Sequence, residues 1–464
     1  MGAFPEDYEI HVSKLVKLWM AEGFMKPSVS KSFEQGAEEY LDDLVKRSLV
    51  LVTRTKSTGK IKSCSVHDLV RDLCIRKARE EKFLLYATDR DVKRVLPKPI
   101  KDQHRLSIPY ASLILFHNIY NPTIRTALFQ HYELFPSSLK GFRLLRVLDA
   151  LTITFMKFPV DVLELFHLRY LAFTRGSDDL WIPASISKLQ NLQTLFIWAR
   201  WRFYDYSIYF PAEIWRMAQL RHLVSIILDP LPNPCARSFA LENLQTLALL
   251  LNFKCSKRIG QIFPSLKKLS LIYEKLDRVL NWKLYGLHNL IHLHQLEKLK
   301  ISMCIDDGES RVPLWEKLAF PMMLKKLTLD GFMLSQQDMA TIGSLPNLHV
   351  LKLRRCSFGD CKWETTEGEF AQLKFLKIER TNLKHRVTEE SSHFPSLERL
   401  LLDSEELSQI PDVIGENPTL ELIEVTETRW NKSLVDSAKC IKEKQKDYGN
   451  DNLQVQIREY RRNA

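Results

Sequence analysis

The amino-acid sequence predicts an α/β protein in two parts. A small winged-helix-like head comes first, and a leucine-rich-repeat solenoid follows it, a horseshoe of about 12 to 14 irregular repeats. Three observations lead there. One short phrase recurs along the chain, as in Leu145-Arg-Val-Leu148, Leu192-Gln-Thr-Leu195, Leu266-Lys-Lys-Leu269, Leu324-Lys-Lys-Leu327 and Leu397-Glu-Arg-Leu400. Successive phrases lie roughly 22 to 30 residues apart, the period of leucine-rich repeats. The first 86 residues ignore that rhythm and mix helical with strand-like patterns. One repeat alone cannot bury its apolar edge, so the coils must stack and expose a long concave face. Such a face favours recognition over catalysis.

In the head, Leu15, Leu18, Trp19 and Glu22 have helical spacing, and Gly23 is suited to end that helix. Phe33, Ala37, Tyr40, Leu41 and Leu44 predict the apolar stripe of a second helix. Leu49–Val52 and Ile61–Val66 read as two strands of a hairpin, with Gly59 supplying a positive φ in the turn between them. A further helix is expected from His67-Asp68, with Leu69, Val70, Leu73 and Cys74 as its apolar side. The expected organisation is 1–86 as the head, 87–104 as a polar linker, 105–432 as repeats and 433–464 as a charged cap.

Within the repeats, proline recurs after the leucine strand at Pro159, Pro183, Pro211 and Pro411, where it ends strand pairing and turns the chain to the convex side. Cys304 and Cys356 occupy the position where Asn252 stands in another repeat, a buried polar site bonded to the turning backbone. The gap from Ile272 to Leu293 is the widest and predicts a bulging repeat. Cys361 reads as an exposed loop thiol.

The chain has 464 residues, 45% hydrophobic and 27% charged, which describes a soluble globular protein; its net charge of +11 favours acidic partners without choosing among them. No stretch has the length of a membrane span, and the N-terminus lacks the layout of a signal peptide and the pattern for myristoylation. Eight scattered cysteines without a CxxC pair suit a reducing compartment. The expected location is cytoplasmic, with peripheral association at the plasma membrane left open. Gly59-Lys60 is followed by Ile61 and lacks the upstream glycine of a phosphate-binding loop. The chain shows no catalytic or metal-ligand motif, and an enzyme is the least favoured class.

Four segments of the head carry a more specific signal: Phe4-Pro-Glu-Asp-Tyr8, Leu15 through Phe24, Leu41-Asp-Asp-Leu44 with Arg47-Ser-Leu49, and Val66-His-Asp-Leu-Val-Arg-Asp-Leu73. Together with the attached repeats they resemble plant intracellular nucleotide-binding, leucine-rich-repeat disease-resistance proteins. The nearer match is the coiled-coil class, in the style of the solanaceous late blight resistance homologues. The resemblance covers the whole chain. It implies that His67, in Val66-His67-Asp68, stands where the family's Met-His-Asp histidine reaches the phosphates of bound ADP, with Asp68 beside it. Capping of the third helix is the alternative reading of His67. The resemblance implies ADP or ATP for a full-length member. The family's phosphate loop, metal-binding aspartates and coiled coil lie upstream of the matched signature, so a truncated product or fragment is expected, with no cofactor held by this chain alone.

The residues between the repeat leucines, and the one before the last, project from the strand face. In the later repeats they are Lys267, Lys268, Lys298, Lys300, Lys325, Lys326, Lys352, Lys374, Lys377 and Arg399, which read either as a basic ladder for an acidic protein partner or as solubilising side chains. In the earlier repeats they include Arg146, Tyr170, Phe173, Arg221 and His222, with Trp198 nearby. Three functions compete. The first is a recognition and autoinhibition module that binds a pathogen effector, a guarded host protein or its own nucleotide-binding domain. A winged-helix nucleic-acid binder is disfavoured by the acids of the second helix, Glu34, Glu38, Glu39, Asp42 and Asp43. A repeat-based interaction adaptor is the third.

Overall fold

In the computed structural model the described residues are 1–25, 32–56, 59–87, 103–109, 122–130, 139–199, 207–227, 232, 240–274, 284–304, 312–314, 319–384, 394–410, 412–415, 417–429 and 431–459. Most of the expected 87–104 linker, residues 275–283 of the expected bulge and Pro411 lie outside them. The chain forms two compact units, Met1–Leu249 and Leu250–Ala464.

The first unit opens with the head: β1 (Ile10–His11), α1 (Val12–Glu22), α2 (Phe33–Lys46), β2 (Leu51–Thr55), β3 (Ile61–Ser65) and α3 (Asp68–Glu80). Gly23 ends α1 in the left-handed conformation at φ 82°, returning its N–H to Met20 and Trp19 carbonyls. Ser32 starts α2 with a reciprocal capping box to Gln35. β2 and β3 pair antiparallel, and Gly59 has φ 74° in their turn. The strand before α1 pairs with β3 as well, making the sheet β1-β3-β2, which the two-residue length of β1 kept out of any pattern.

Two helices differ from expectation. On α2 only Ala37 and Leu41 are buried, while Tyr40 is 62% exposed. On α3 most of the predicted apolar side faces water: Leu69 is 75% exposed, Leu73 and Cys74 are exposed, Val70 is half-buried, and the buried residue is Arg71. Arg71 Nε donates to the Phe4 carbonyl at 2.9 Å and the guanidinium lies over the Tyr86 ring. A satisfied guanidinium can replace an aliphatic core position because its stem packs while its fork bonds.

After α3, short parallel strands follow one per repeat: Leu85–Tyr86, Arg105–Ile108, Thr126–Phe129, Val147–Phe155, Tyr170–Arg175, Thr194–Ala199 and His222–Ile227. Each pairs in register with the next. The repeat leucines Leu145, Leu148, Leu168, Leu171, Leu192 and Leu195 are at most 1% exposed, each contributing roughly 1.5–3 kcal/mol of burial. Pro159, Pro183 and Pro211 each precede a single 3-10 turn, Val160–Glu164, Ala184–Lys188 and Ala212–Arg216, as the missing N–H requires.

A polar clip that the leucine pattern had hidden ties consecutive coils. The residue just before the first leucine donates to a carbonyl of the preceding repeat: Asn191 to Phe166 and Asn243 to Ala218 in the first unit, Asn347 to Met322 and Ser396 to Ala371 in the second. It satisfies carbonyls that the convex turns leave without a ladder partner.

The second unit has the same parallel order, through Lys268–Glu274, Lys298–Cys304, Lys326–Asp330, Val350–Arg354, Phe375–Glu379, Arg399–Asp403, Leu422–Glu427 and Gln454–Glu459. Asn252, at φ 49°, accepts from Glu274 N at 3.1 Å. Cys356 is buried and its Sγ donates to the Leu329 and Arg354 carbonyls, with burial pushing the thiol up to about 11. Cys361 is half-buried rather than exposed and accepts from Asn382 Nδ2. The charged terminal segment forms a helix, Lys432–Asp447, that buries Leu434, Val435, Ala438 and Ile441, before the strand Gln454–Glu459.

Candidate functional site

The head is seated on the strand face of the first repeats. Its core of Ile10, Val12, Leu15, Val16, Leu41 and Cys64 runs without a break into Leu128, Val147, Tyr170 and Ala172. Tyr170 is therefore buried and not part of an open face. Phe173 is also buried, since it fills the last leucine position of its repeat and packs edge-on to Phe155 and Phe158. His222 is buried too, with Nδ1 3.1 Å from Thr246 Oγ1. Trp198 stays 44% exposed and stacks with Phe196.

Three charged bridges surround this contact. Lys14 Nζ lies 2.6 Å from Asp149 Oδ2. Burial works against the ammonium, yet Asp149 and Tyr8 beside it hold its pKa above the usual value. Glu22 Oε2 accepts twice from Arg105, at 3.1 and 2.9 Å, and that guanidinium lies 5.0 Å from the Phe24 ring centroid and 4.1 Å from that of Phe83. Glu34 Oε1 accepts from Arg221 at 2.8 Å. Gln245 completes this last pair: its amide donates to Glu34 at 3.0 Å and its oxygen accepts from Arg221 at 2.7 Å, the orientation the surrounding groups require. One oxygen of Asp149, of Glu22 and of Glu34 has no hydrogen bond. Desolvation of these carboxylates is thus only partly offset.

These bridging residues were missed in the sequence. Glu22 was legible as part of the α1 pattern, but nothing local tells an inward acid from an outward one. Arg221 has the local pattern of a projecting side chain, and its partner sits 187 positions away.

His67 and Asp68 are exposed at the start of α3. His67 is the N-cap, and its Nδ1 accepts from Leu69 N at 3.3 Å. That bond makes Nδ1 an acceptor, so in the neutral ring the proton sits on Nε2, which is a donor. Asp68 stands in the first turn, where the helix dipole favours a carboxylate.

Lys268, Lys298 and Lys326 are direct neighbours across adjacent parallel strands, with Lys300 and Lys352 in the next row. Lys325 pairs with Glu297 at 3.3 Å, Lys374 with Glu398 at 2.5 Å and Lys377 with Glu379 at 2.7 Å. Lys352 lies over the Phe375 ring. Lys267 and Arg399 are half-buried. Arg354 joins Lys377 on Glu379; although burial opposes ionisation, these two cations pull that carboxyl down to about 2. Among the described residues there is no His, Cys, Asp and Glu group able to hold a metal, and no helix long and apolar enough to cross a membrane.

Comparison with known proteins places these surfaces in a family. Residues 3–74 match the disease resistance protein winged helix domain, and residues 126–426 match a leucine-rich repeat region. Relatives from Solanum demissum include a putative late blight resistance protein homolog that is 33% identical over 478 residues, which covers 98% of this chain and 35% of that protein. Late blight resistance protein R1-A, from the same plant, is 31% identical over 491 residues, covering 99% of this chain and 36% of that protein. Another putative homolog of that plant is 32% identical over 486 residues, covering 98% of this chain and 60% of that protein. The chain thus spans about a third of the first two relatives. A winged helix carried on leucine-rich repeats, matched over nearly its whole length by late blight resistance proteins, makes this chain a member of the plant disease-resistance protein family.

Proposed function

We propose that the chain is the recognition and autoinhibition module of an intracellular immune receptor. The repeats hold the winged-helix head in place through the bridges Lys14–Asp149, Glu22–Arg105 and Glu34–Arg221. The lysine face of the later repeats binds a protein partner: a pathogen effector, a guarded host protein or the receptor's own nucleotide-binding part. The observation that carries the reading is the shared core of head and first repeats, ringed by partly satisfied buried charges. Apolar continuity makes the seated state stable, while the unpaired carboxylate oxygens narrow the gap to a released state. A partner switches such an element only by binding one state better than the other.

By resemblance, His67 is the residue that meets a nucleotide phosphate, and its Nε2–H is the donor available for it. ADP and ATP belong to this proposal as ligands of a full-length member. The reading is tested by replacing the matched segment of R1-A with this chain, then introducing Glu34→Arg, Arg221→Glu and both together. Ligand-independent cell death in leaf tissue is expected for each single change, with restraint restored in the pair. Silence of both single variants, each shown to accumulate, would remove the autoinhibitory part.

The nucleic-acid alternative is not favoured. Acids of α2 are engaged with protein cations, Glu34 with Arg221, Glu38 with Lys60 and Asp43 with Arg47, and the helix would still meet phosphate as an anion.

A further inference from the structure

Beneath the seated head runs a row of arginines that neither the latch nor the lysine face uses. Arg125, Arg146 and Arg169 occupy the same position in three consecutive repeats. The strand registers Thr126↔Val147 and Val147↔Tyr170 place them side by side. Their backbones are linked directly, Arg146 N to the Arg125 carbonyl at 2.6 Å and Arg169 N to the Arg146 carbonyl at 2.7 Å. Adjacent strands are about 4.8 Å apart, so the three side chains start as near neighbours. All three are half-buried.

Like charges directly opposite on a sheet are destabilising unless something neutralises them. In the same column Arg221 has Glu34, and one residue along Arg105 has Glu22. Arg125, Arg146 and Arg169 have no carboxylate within ion-pair distance among the described residues. Glu22 is the nearby acid; it attracts Arg146, but its bonds go to Arg105. Burial, then the neighbouring Arg169 and Arg125, hold the Arg146 guanidinium below its usual value. Head atoms approach the row without contributing an acid: the position a Gly23 Cβ would take lies 3.6 Å from Arg169 Nη1.

We propose that Arg125, Arg146 and Arg169 form a binding site for a small anion carrying more than one phosphate. Planar guanidiniums present paired donors that match phosphate oxygens, and a row of them matches clustered phosphates better than a single carboxylate. Partial burial strengthens each contact relative to water. The site is independent of whether the lysine face recognises protein. Its position between head and first repeats means that its ligand joins the two, adding to the seated state by mass action.

The test uses the whole chain and three probes that separate the sources of phosphate: inorganic pyrophosphate, ADP and inositol hexakisphosphate. A glutamate-rich peptide of equal charge serves as the non-phosphate control. At least one phosphate probe should raise Tm and bind by calorimetry, and Arg146→Gln with Arg169→Gln should weaken it at least tenfold. Lys439→Gln with Lys442→Gln, on the terminal helix, should leave it unchanged. A second readout guards against misfolding: without ligand, Arg146→Gln should keep or raise Tm, because it relieves repulsion. Equal binding of the glutamate peptide, unchanged affinity in the double variant, or a ligand-free Tm lowered by Arg146→Gln would each overturn the site.

Discussion

Glu34 and Arg221 stand 187 positions apart in the chain and meet at 2.8 Å, with Gln245 hydrogen-bonded to both. The pair joins α2 of the head to the repeat that begins with Leu220. Both side chains are largely shielded, at 23% and 15% exposure, so their attraction is less screened than that of a surface pair. A double-mutant cycle with Glu34→Ala and Arg221→Ala should return a coupling of about 1–3 kcal/mol by denaturant unfolding. Strict additivity would mean the bridge is incidental to head seating.

Glu22 is the more buried acid, at 5% side-chain exposure against 15% for Arg105. Glu22→Ala leaves the Arg105 guanidinium largely buried beside the Phe24 and Phe83 rings with no anion. A loss of about 3 kcal/mol is expected. Hydrogen exchange should localise that loss to the backbone of α1 and Arg105–Ile108.

On α3 the ranking of substitutions should invert the apolar pattern. Leu69→Ala should change stability by less than about 0.5 kcal/mol, because the side chain is already in water. Arg71→Ala should cost about 2 kcal/mol, through the lost bond to Phe4 and the lost stacking on Tyr86. Melting curves of the two variants side by side decide it.

Glu379 gives the chain a pH dependence of known sign. Its carboxyl falls to about 2 in the folded chain from an ordinary 4.5. Its contribution is therefore complete above pH 4.5 and is lost as the pH falls through about 2. At about 1.4 kcal/mol per unit this amounts to about 3 kcal/mol at neutral pH. Glu379→Gln should flatten the stability profile between pH 5 and pH 2 and leave its shape above pH 6 unchanged.

Thiol reactivity should follow burial. Cys255 and Cys356 are buried, with thiols pushed up to about 12 and about 11, whereas Cys74 and Cys440 are exposed. Brief alkylation at pH 8, read by mass spectrometry, should label Cys74 and Cys440 and spare the other two until the chain is denatured.

The sequence by itself determined the repeat. Leucine spacing, the prolines at 159, 183 and 211, and the Asn252 and Cys356 positions are local signals. Each repeats a short-range requirement for burial, a missing N–H or a bonded turn. The four head segments likewise named the winged helix, because caps and helical stripes are written within a few residues. Tertiary structure alone decided which charges face inward. Arg71 in place of Leu69, Tyr170 and Phe173 in the interior, and the partners of Glu22, Glu34 and Lys325 all depend on surfaces that folding brings together from separate parts of the chain. A charged residue has the same local signature whether it meets water or a buried counter-ion. Its role is set by what lies across the contact, and that information is spread over the whole fold.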